Sequence, residues 1–224
     1  MVKPEASSPN SPRWQRRPDT RPEELICAAR DTFGELGFAQ ARLEDVARRA
    51  GVSKGTVYLY FDSKETLFRE MVKACVVSTF AEGEECLRHH QGTAKEALEI
   101  FVRRLWQVVR RPEMTGIARL VQSELHQFPE LARFYVDTVI HGARQLVGRI
   151  LEDGIRRGEF RPVQHDFAVR AIPSLLVNSA MFQQFFGPYD TKALTDDQVV
   201  EGILDLVYHG VLAQPEPSRQ GARS

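Results

Sequence analysis

With 224 residues, 42% of them hydrophobic and 27% charged, the chain can bury a substantial core in one or two domains. Its 30 Lys and Arg balance 30 Asp and Glu, so any nucleic-acid surface has to be a local patch. No run of about 18 apolar residues and no apolar signal core occurs, which argues against a helical membrane span and predicts a cytoplasmic location.

Residues 1–20 contain Ser7-Ser8-Pro9-Asn10-Ser11-Pro12 and then Arg13, Arg16 and Arg17, a composition that predicts a flexible basic arm. Such an arm is either a solvated tail or a strap that tracks phosphates beside a DNA site. Pro22 opens the first helix with Glu23 and Glu24 at its positive end, and Ile26, Ala29, Phe33 and Leu36 form its expected stripe before Gly37 stops it. From Arg42 to Phe61, Leu43, Val46, Ala47 and Ala50 fall at helical spacing, Gly51 suits a left-handed stop, and Ser53 caps a second helix from Lys54. This reads as helix, tight turn, helix. Val57 and Phe61 face inward, leaving Lys54, Thr56, Tyr58 and Tyr60 outward, with Leu59 beside them. Ser53, Lys54, Gly55 and Thr56 give the first turn the small donors and the cation that a duplex groove asks for. Gly55 weakens a helix interior by roughly 1 kcal/mol against Ala, and close backbone approach to phosphate is a reason for it.

Phe33, Gly37 and Phe38, Asp45-Val46-Ala47, the run from Ala50 to Tyr58, Tyr60-Phe61 and the run from Ser63 to Phe68 together resemble the DNA-binding domain of the tetracycline-repressor (TetR/AcrR) family of bacterial transcription regulators. The resemblance covers about residues 20–70, and the remainder is similar only in pattern. One departure is Ala41-Arg42, where the family usually places Thr or Ser before the second helix. Losing that cap costs on the order of 1 kcal/mol, and Arg42 is a phosphate candidate in exchange.

Beyond the motif, Ser63 caps a long rod through Leu67, Phe68, Met71, Val72, Cys75, Val76 and Thr79 to about Leu87. Lys64, in its first turn, is expected to clamp a phosphate, a solvated lysine being the alternative. The rest is helical without strand-like alternation. Ala97, Leu98, Phe101, Leu105, Trp106 and Val109 mark one helix, 113–126 another, and Pro129 opens a longer one expected to end at Gly154. Asp166 is expected to cap 167–186, a helix apolar nearly all round, and Thr195-Asp196-Asp197-Gln198 opens the last. Cys27, Cys75 and Cys86 lack metal spacing and read as small helix residues.

The expected architecture is therefore all-α, with about nine helices. A flexible arm (1–20) precedes a DNA-binding domain (21–80, helix-turn-helix 42–61), a helical effector-binding and dimerisation domain (81–214) and a disordered tail (215–224). The resemblance implies a homodimeric repressor, released from a palindromic operator on double-stranded DNA by a small hydrophobic or aromatic effector, with no cofactor, metal or membrane partner. The DNA candidates are Arg42, Ser53, Lys54, Gly55, Thr56, Tyr58, Leu59, Tyr60 and Lys64. Candidates for an effector cavity are Phe101, Leu105, Trp106, Met114, Ile117, Val121, Phe134, Thr138, His141, Asn178, Met181, Phe182 and Phe185, although aromatic and Met residues at helical spacing also serve as plain core. Glu124, His126 and Gln183 are polar groups on the same helices and candidates to orient a ligand. The surplus apolar surface of 167–186 and 196–212 calls for a two-fold partner, with Leu175, Leu176, Val200, Ile203, Leu204, Val207 and Val211 as the seam. Alternatives are an activator or co-regulator answering to a protein partner, and a helical enzyme. No Ser/His/Asp order, phosphate loop or paired carboxylates supports the latter.

Overall fold

Two glycines and two serines divide the first part of the chain into helices. The computed structural model describes residues 22–211, so the expectations for the arm at 1–20 and the tail at 215–224 lie outside the described residues. Gly37, at φ 78°, follows α1 (Pro22–Leu36), and Gly51, at φ 70°, follows α2 (Leu43–Ala50). The Gly51 N–H donates to Arg48 O at 3.2 Å and the Val52 N–H to Ala47 O at 3.0 Å, closing the last carbonyls of α2. Ser53 Oγ accepts the Thr56 N–H at 3.1 Å to open α3 (Lys54–Tyr60), and Ser63 Oγ accepts the Thr66 N–H at 3.1 Å to open α4 (64–89). There follow α5 (Ala94–Val109), α6 (Pro112–Glu124), α7 (129–156), α8 (His165–Phe186) and α9 (Asp196–Val211). The fold is all-α, with nine helices among the described residues.

Two of these helices are not uniform. A π turn at Lys73–Val77 interrupts α4 and another at Val136–Ile140 interrupts α7, and the two turns pack against each other. An extra residue per turn loosens the hydrogen-bond ladder, which makes such turns natural points of adjustment.

Several boundaries differ from expectation. The buried face of α1 consists of Leu25, Ala28, Ala29, Thr32 and Phe33, because α2, α4 and α6 all pack on it, and Leu36 is 48% exposed. Gly154 does not end α7; the ring of Phe160 occupies the space its side chain would fill, and the left-handed stop is Gly158, at φ 73°. Asp166 does not cap α8, which begins at His165 behind Gln164. At α2 the Asp45 carboxylate accepts the Arg42 N–H at 3.0 Å, restoring half of a capping box without a side-chain acceptor at position 42.

Packing does not divide at residue 80. One core joins Leu25, Phe33, Phe38, Val46, Val57, Leu67, Phe68 and Met71 to Ile117 and Leu120 of α6, to Leu125 and to Leu131 of α7. A three-helix unit is too small to bury its own apolar faces, and α6 covers what remains. The other core gathers α5, α7, α8 and α9 around Leu98, Val102, Trp106, Val147, Leu151 and Leu176.

The loop after α1 ties the first core to α6. The Ala39 N–H donates to Glu124 Oε2 at 2.8 Å, and a side chain at Gly37 would collide with that carboxylate. Gly37→Ala therefore combines a left-handed backbone with a clash and is expected to destabilise the chain by about 1–3 kcal/mol. Urea denaturation checks this, and an unchanged midpoint would contradict it.

Candidate nucleic-acid interface and effector cavity

Val57 and Phe61 fix α3 in the first core, and the opposite face is open. Ser53, Lys54, Gly55, Tyr58, Leu59 and Tyr60 are exposed and Thr56 half-buried, with Leu59 at 78%. Thr56 Oγ1 lies 2.9 Å from Ser53 Oγ, so the two hydroxyls at the start of the helix form a pair that remains accessible. A side chain at Gly55 would meet only Ser53 Oγ, at 3.7 Å, so nothing within the protein requires glycine there.

Lys54 is held rather than free. Its ammonium pairs with Glu44 on α2 and sits 5.4 Å from the centre of the Tyr58 ring. Hydrogen bonding to Glu44 raises its pKa and, reciprocally, lowers that of Glu44. Sequence reasoning passed over Glu44, because contact between residues ten positions apart depends on the angle between α2 and α3. Arg42 is exposed at the start of α2.

Lys64 has a different role from the one expected. Its Nζ donates to Phe38 O at 2.8 Å, Ala39 O at 3.1 Å and Ala41 O at 3.3 Å, and lies 4.7 Å from the Phe38 ring centre. An ammonium has three protons, and all three are engaged with the loop between α1 and α2. Lys64 fastens that loop instead of offering donors to a phosphate. Glu124, a possible ligand contact by sequence, is the other fastener.

Among the described residues, two of the cavities between helices take residues expected to hold an effector. The first, about 250 Å³, lies between α6, α7 and α8 and takes Val121 and Asn178 of the expected residues. The second, about 200 Å³, lies between α4, α5 and α7 and takes Phe101 and Leu105. The other candidates lie elsewhere. Trp106 is sealed in the second core, while Met114, Ile117 and Phe134 pack in or against the first. Thr138 belongs to the π turn of α7 outside the cavity wall, and His141 faces Asp137 at 3.6 Å on the exposed side. Met181 receives the Gln122 amide at 3.3 Å, Phe185 stacks near Arg119, and Phe182 points outward at 54% exposure. Gln122, Arg144 and Arg170, missed by a search for apolar stripes, line the first cavity together with Tyr135.

Residues 25–71 match the model for bacterial regulatory proteins of the tetR family, and residues 96–208 match that for the AefR-like transcriptional repressor C-terminal domain. The chain belongs to the TetR family. It is 25% identical over 203 residues to the HTH-type transcriptional repressor KstR2 of Mycolicibacterium smegmatis, covering 90% of this chain and 95% of that one. It is 29% identical over 147 residues to the fatty acid metabolism regulator protein of Bacillus subtilis, covering 66% and 73%. The crystal structure of FadR from Bacillus subtilis with stearoyl-CoA superposes with a TM-score of 0.68 at 24% identity, covering 82% of this chain and 98% of that one. The chain is accordingly a DNA-binding transcriptional regulator and not an enzyme. No helix among the described residues is long and apolar enough to cross a membrane.

In this TetR-family chain the seam expected for a partner is mostly internal. Leu176, Val200, Ile203, Leu204 and Val207 are buried in the second core, and the side chain of Val211 lies outside the described residues. The free apolar face of α8 is instead Phe167, Leu175, Phe182 and Phe186, with Leu206 on α9 at 62% exposure. On a helix apolar all round, 169, 172, 176 and 180 face the protomer's own core and leave this second stripe outside.

Gly55→Ala separates folding from recognition. It should stabilise the fold by roughly 1 kcal/mol, through helix propensity, while weakening DNA binding. Thermal denaturation and a gel shift on the same protein check both halves; unchanged DNA affinity would show that the exposed backbone at Gly55 is not approached by DNA.

Proposed function

We propose that the chain is a homodimeric repressor that binds a palindromic operator in the cytoplasm and leaves it when a small hydrophobic effector enters the helical domain. The observation that carries this reading is α3, which keeps an open polar face while two buried side chains anchor it. Placed in a major groove, Ser53, Gly55 and Thr56 stand nearest the bases, and Leu59 offers an apolar contact to a thymine methyl. Lys54, Tyr58, Tyr60 and Arg42 engage phosphates. For Lys54 this means exchanging Glu44 for DNA, so Glu44 acts as a brake on non-specific binding.

Repression is supported by the names of the relatives and of the C-terminal family. Dimerisation is supported by the outward stripe of Phe167, Leu175, Phe182 and Phe186, whose contiguous apolar surface needs a cover. A second copy aligns two α3 helices for two half-sites one turn apart. The cavity between α6, α7 and α8 is the better placed for control, because Val139 and Ile140 in its wall belong to the π turn that packs on the π turn of α4. An effector pressing on that turn displaces α4 and, with it, α3. A hundredfold loss of operator affinity needs about 2.7 kcal/mol of preference for the displaced state.

Two outcomes test the reading. Lys54→Ala is expected to weaken binding to operator and unrelated DNA alike and to reduce the salt slope by about one contact, whereas Glu44→Gln should strengthen both. Wild-type affinity for Lys54→Ala across a salt series would remove α3 as the reading helix. Phe182→Glu should convert a dimer to a monomer by sedimentation, and a dimer that persists would place the seam elsewhere.

A further inference from the structure

The cavity between α6, α7 and α8 has a wall with charge of one sign. Alongside Val121, Val139, Ile140, Val169 and Val177 it contains two arginines, Arg144 and Arg170, and no Asp or Glu. Arg170 is exposed and donates Nε–H to Asp166 O at 2.9 Å. Arg144, on α7, is different. Its Nε is shut off from solvent without a hydrogen-bond partner, and among the described residues its guanidinium forms no ion pair. Neighbouring arginines are matched: Arg149, on the same helix, lies 3.0 Å from Glu84, and Arg157, just past its end, lies 2.9 Å from Glu159.

A guanidinium keeps its charge at every accessible pH, and a buried donor of this kind is costly to leave unmet. The cavity wall therefore carries a permanent cation whose Nε is buried, with no counter-ion among the described residues. Tyr135 lines the same space, and burial pushes its pKa up to about 12, so its hydroxyl remains a neutral hydrogen-bond donor. The two residues add donors to a wall that also carries Gln122, Arg170, Ser174 and Asn178 among its apolar side chains.

We propose that this cavity takes an amphiphile with an apolar body and a single anionic head, carboxylate or phosphate, held by the Arg144 guanidinium. The inference rests on effector control as proposed above and specifies the chemistry of the effector. An anion uses the planar fork of Arg144 in pairs of hydrogen bonds. A neutral apolar molecule leaves that fork unmatched, and a cation is repelled by it. Arg144 is one helical turn beyond Ile140, so an anion drawn to it acts on the segment that ends the π turn of α7.

The test is calorimetric titration of the full chain with decanoate, decyl phosphate, decanol and decyltrimethylammonium, on wild type and on Arg144→Met and Arg144→Lys. Wild type is expected to bind at least one of the two anions ten or more times more tightly than decanol, and the cation not measurably. The preferred anion identifies the head group. Arg144→Met should lose that preference while binding decanol within about twofold of wild type, and Arg144→Lys should recover part of it. Should Arg144→Met fail to fold, the head-group series on wild type decides alone. Equal binding of decanol and both anions by wild type, an undiminished anion preference in Arg144→Met, or no binding by any of the four compounds would overturn the inference. A gel shift in parallel separates this from effector control. Arg144-dependent binding that leaves operator occupied upholds the anion site and removes the control; operator release by anion and alcohol alike does the reverse.

Discussion

The burial of Ile117, Leu120, Leu125 and Leu131 against Phe38, Phe68 and Met71 is the contact on which the molecule's working depends. Without it the helix-turn-helix unit exposes the apolar surface that three short helices cannot cover for themselves. With it, α6 belongs to the core of the DNA-reading unit and to the cavity wall of the helical domain at once, since Ala118, Val121 and Gln122 face the cavity one side over from Ile117 and Leu120. A change in the cavity is thus one helix diameter from the core that orients α3.

Polar contacts give this junction its register. Lys64 fastens the loop between α1 and α2 from the α4 side, and Glu124 fastens it from the α6 side. Arg119 adds a bond to Gly34 O at 2.6 Å, and Phe38 stacks edge-on against Phe128 at 4.9 Å. Opposite these stiff contacts, the facing π turns of α4 and α7 are where the backbone ladder is least regular. A junction stiff at one point and loose at another favours a pivot over even yielding, as the proposed displacement of α3 by an effector requires.

Much of this was legible in the sequence, for identifiable reasons. Gly37, Gly51, Ser53 and Ser63 punctuate the helices by local chemistry that acts within four residues, so their roles survive into the fold unchanged. Where the destination of a side chain depends on a distant element, local reading fails. Lys64 was expected at a phosphate because its charge is visible, while the three carbonyls that hold it are visible only once the loop folds back. Glu44 was passed over, and Glu124 was read as a ligand contact, for the same reason. On α8 the apolar pattern marked two faces but not which packs into the protomer's own core, and so Leu176 was placed at a partner while Phe182 was placed inside. Arg144 is silent in sequence because an arginine on a helix ordinarily meets water or an acid with every donor; only the fold shows that its Nε meets neither.

On this packing the DNA-reading helices and α6 form one cooperative unit. Native-state hydrogen exchange on the intact chain measures this directly, because amides of one unit open together with a common free energy. The slowest amides of α1, α4 and α6 are expected to share one opening energy and one denaturant dependence. Opening of α1 and α4 at clearly lower energy, with α6 still protected alongside α5 and α8, would mean that the DNA-reading unit folds apart from α6 and would contradict the account.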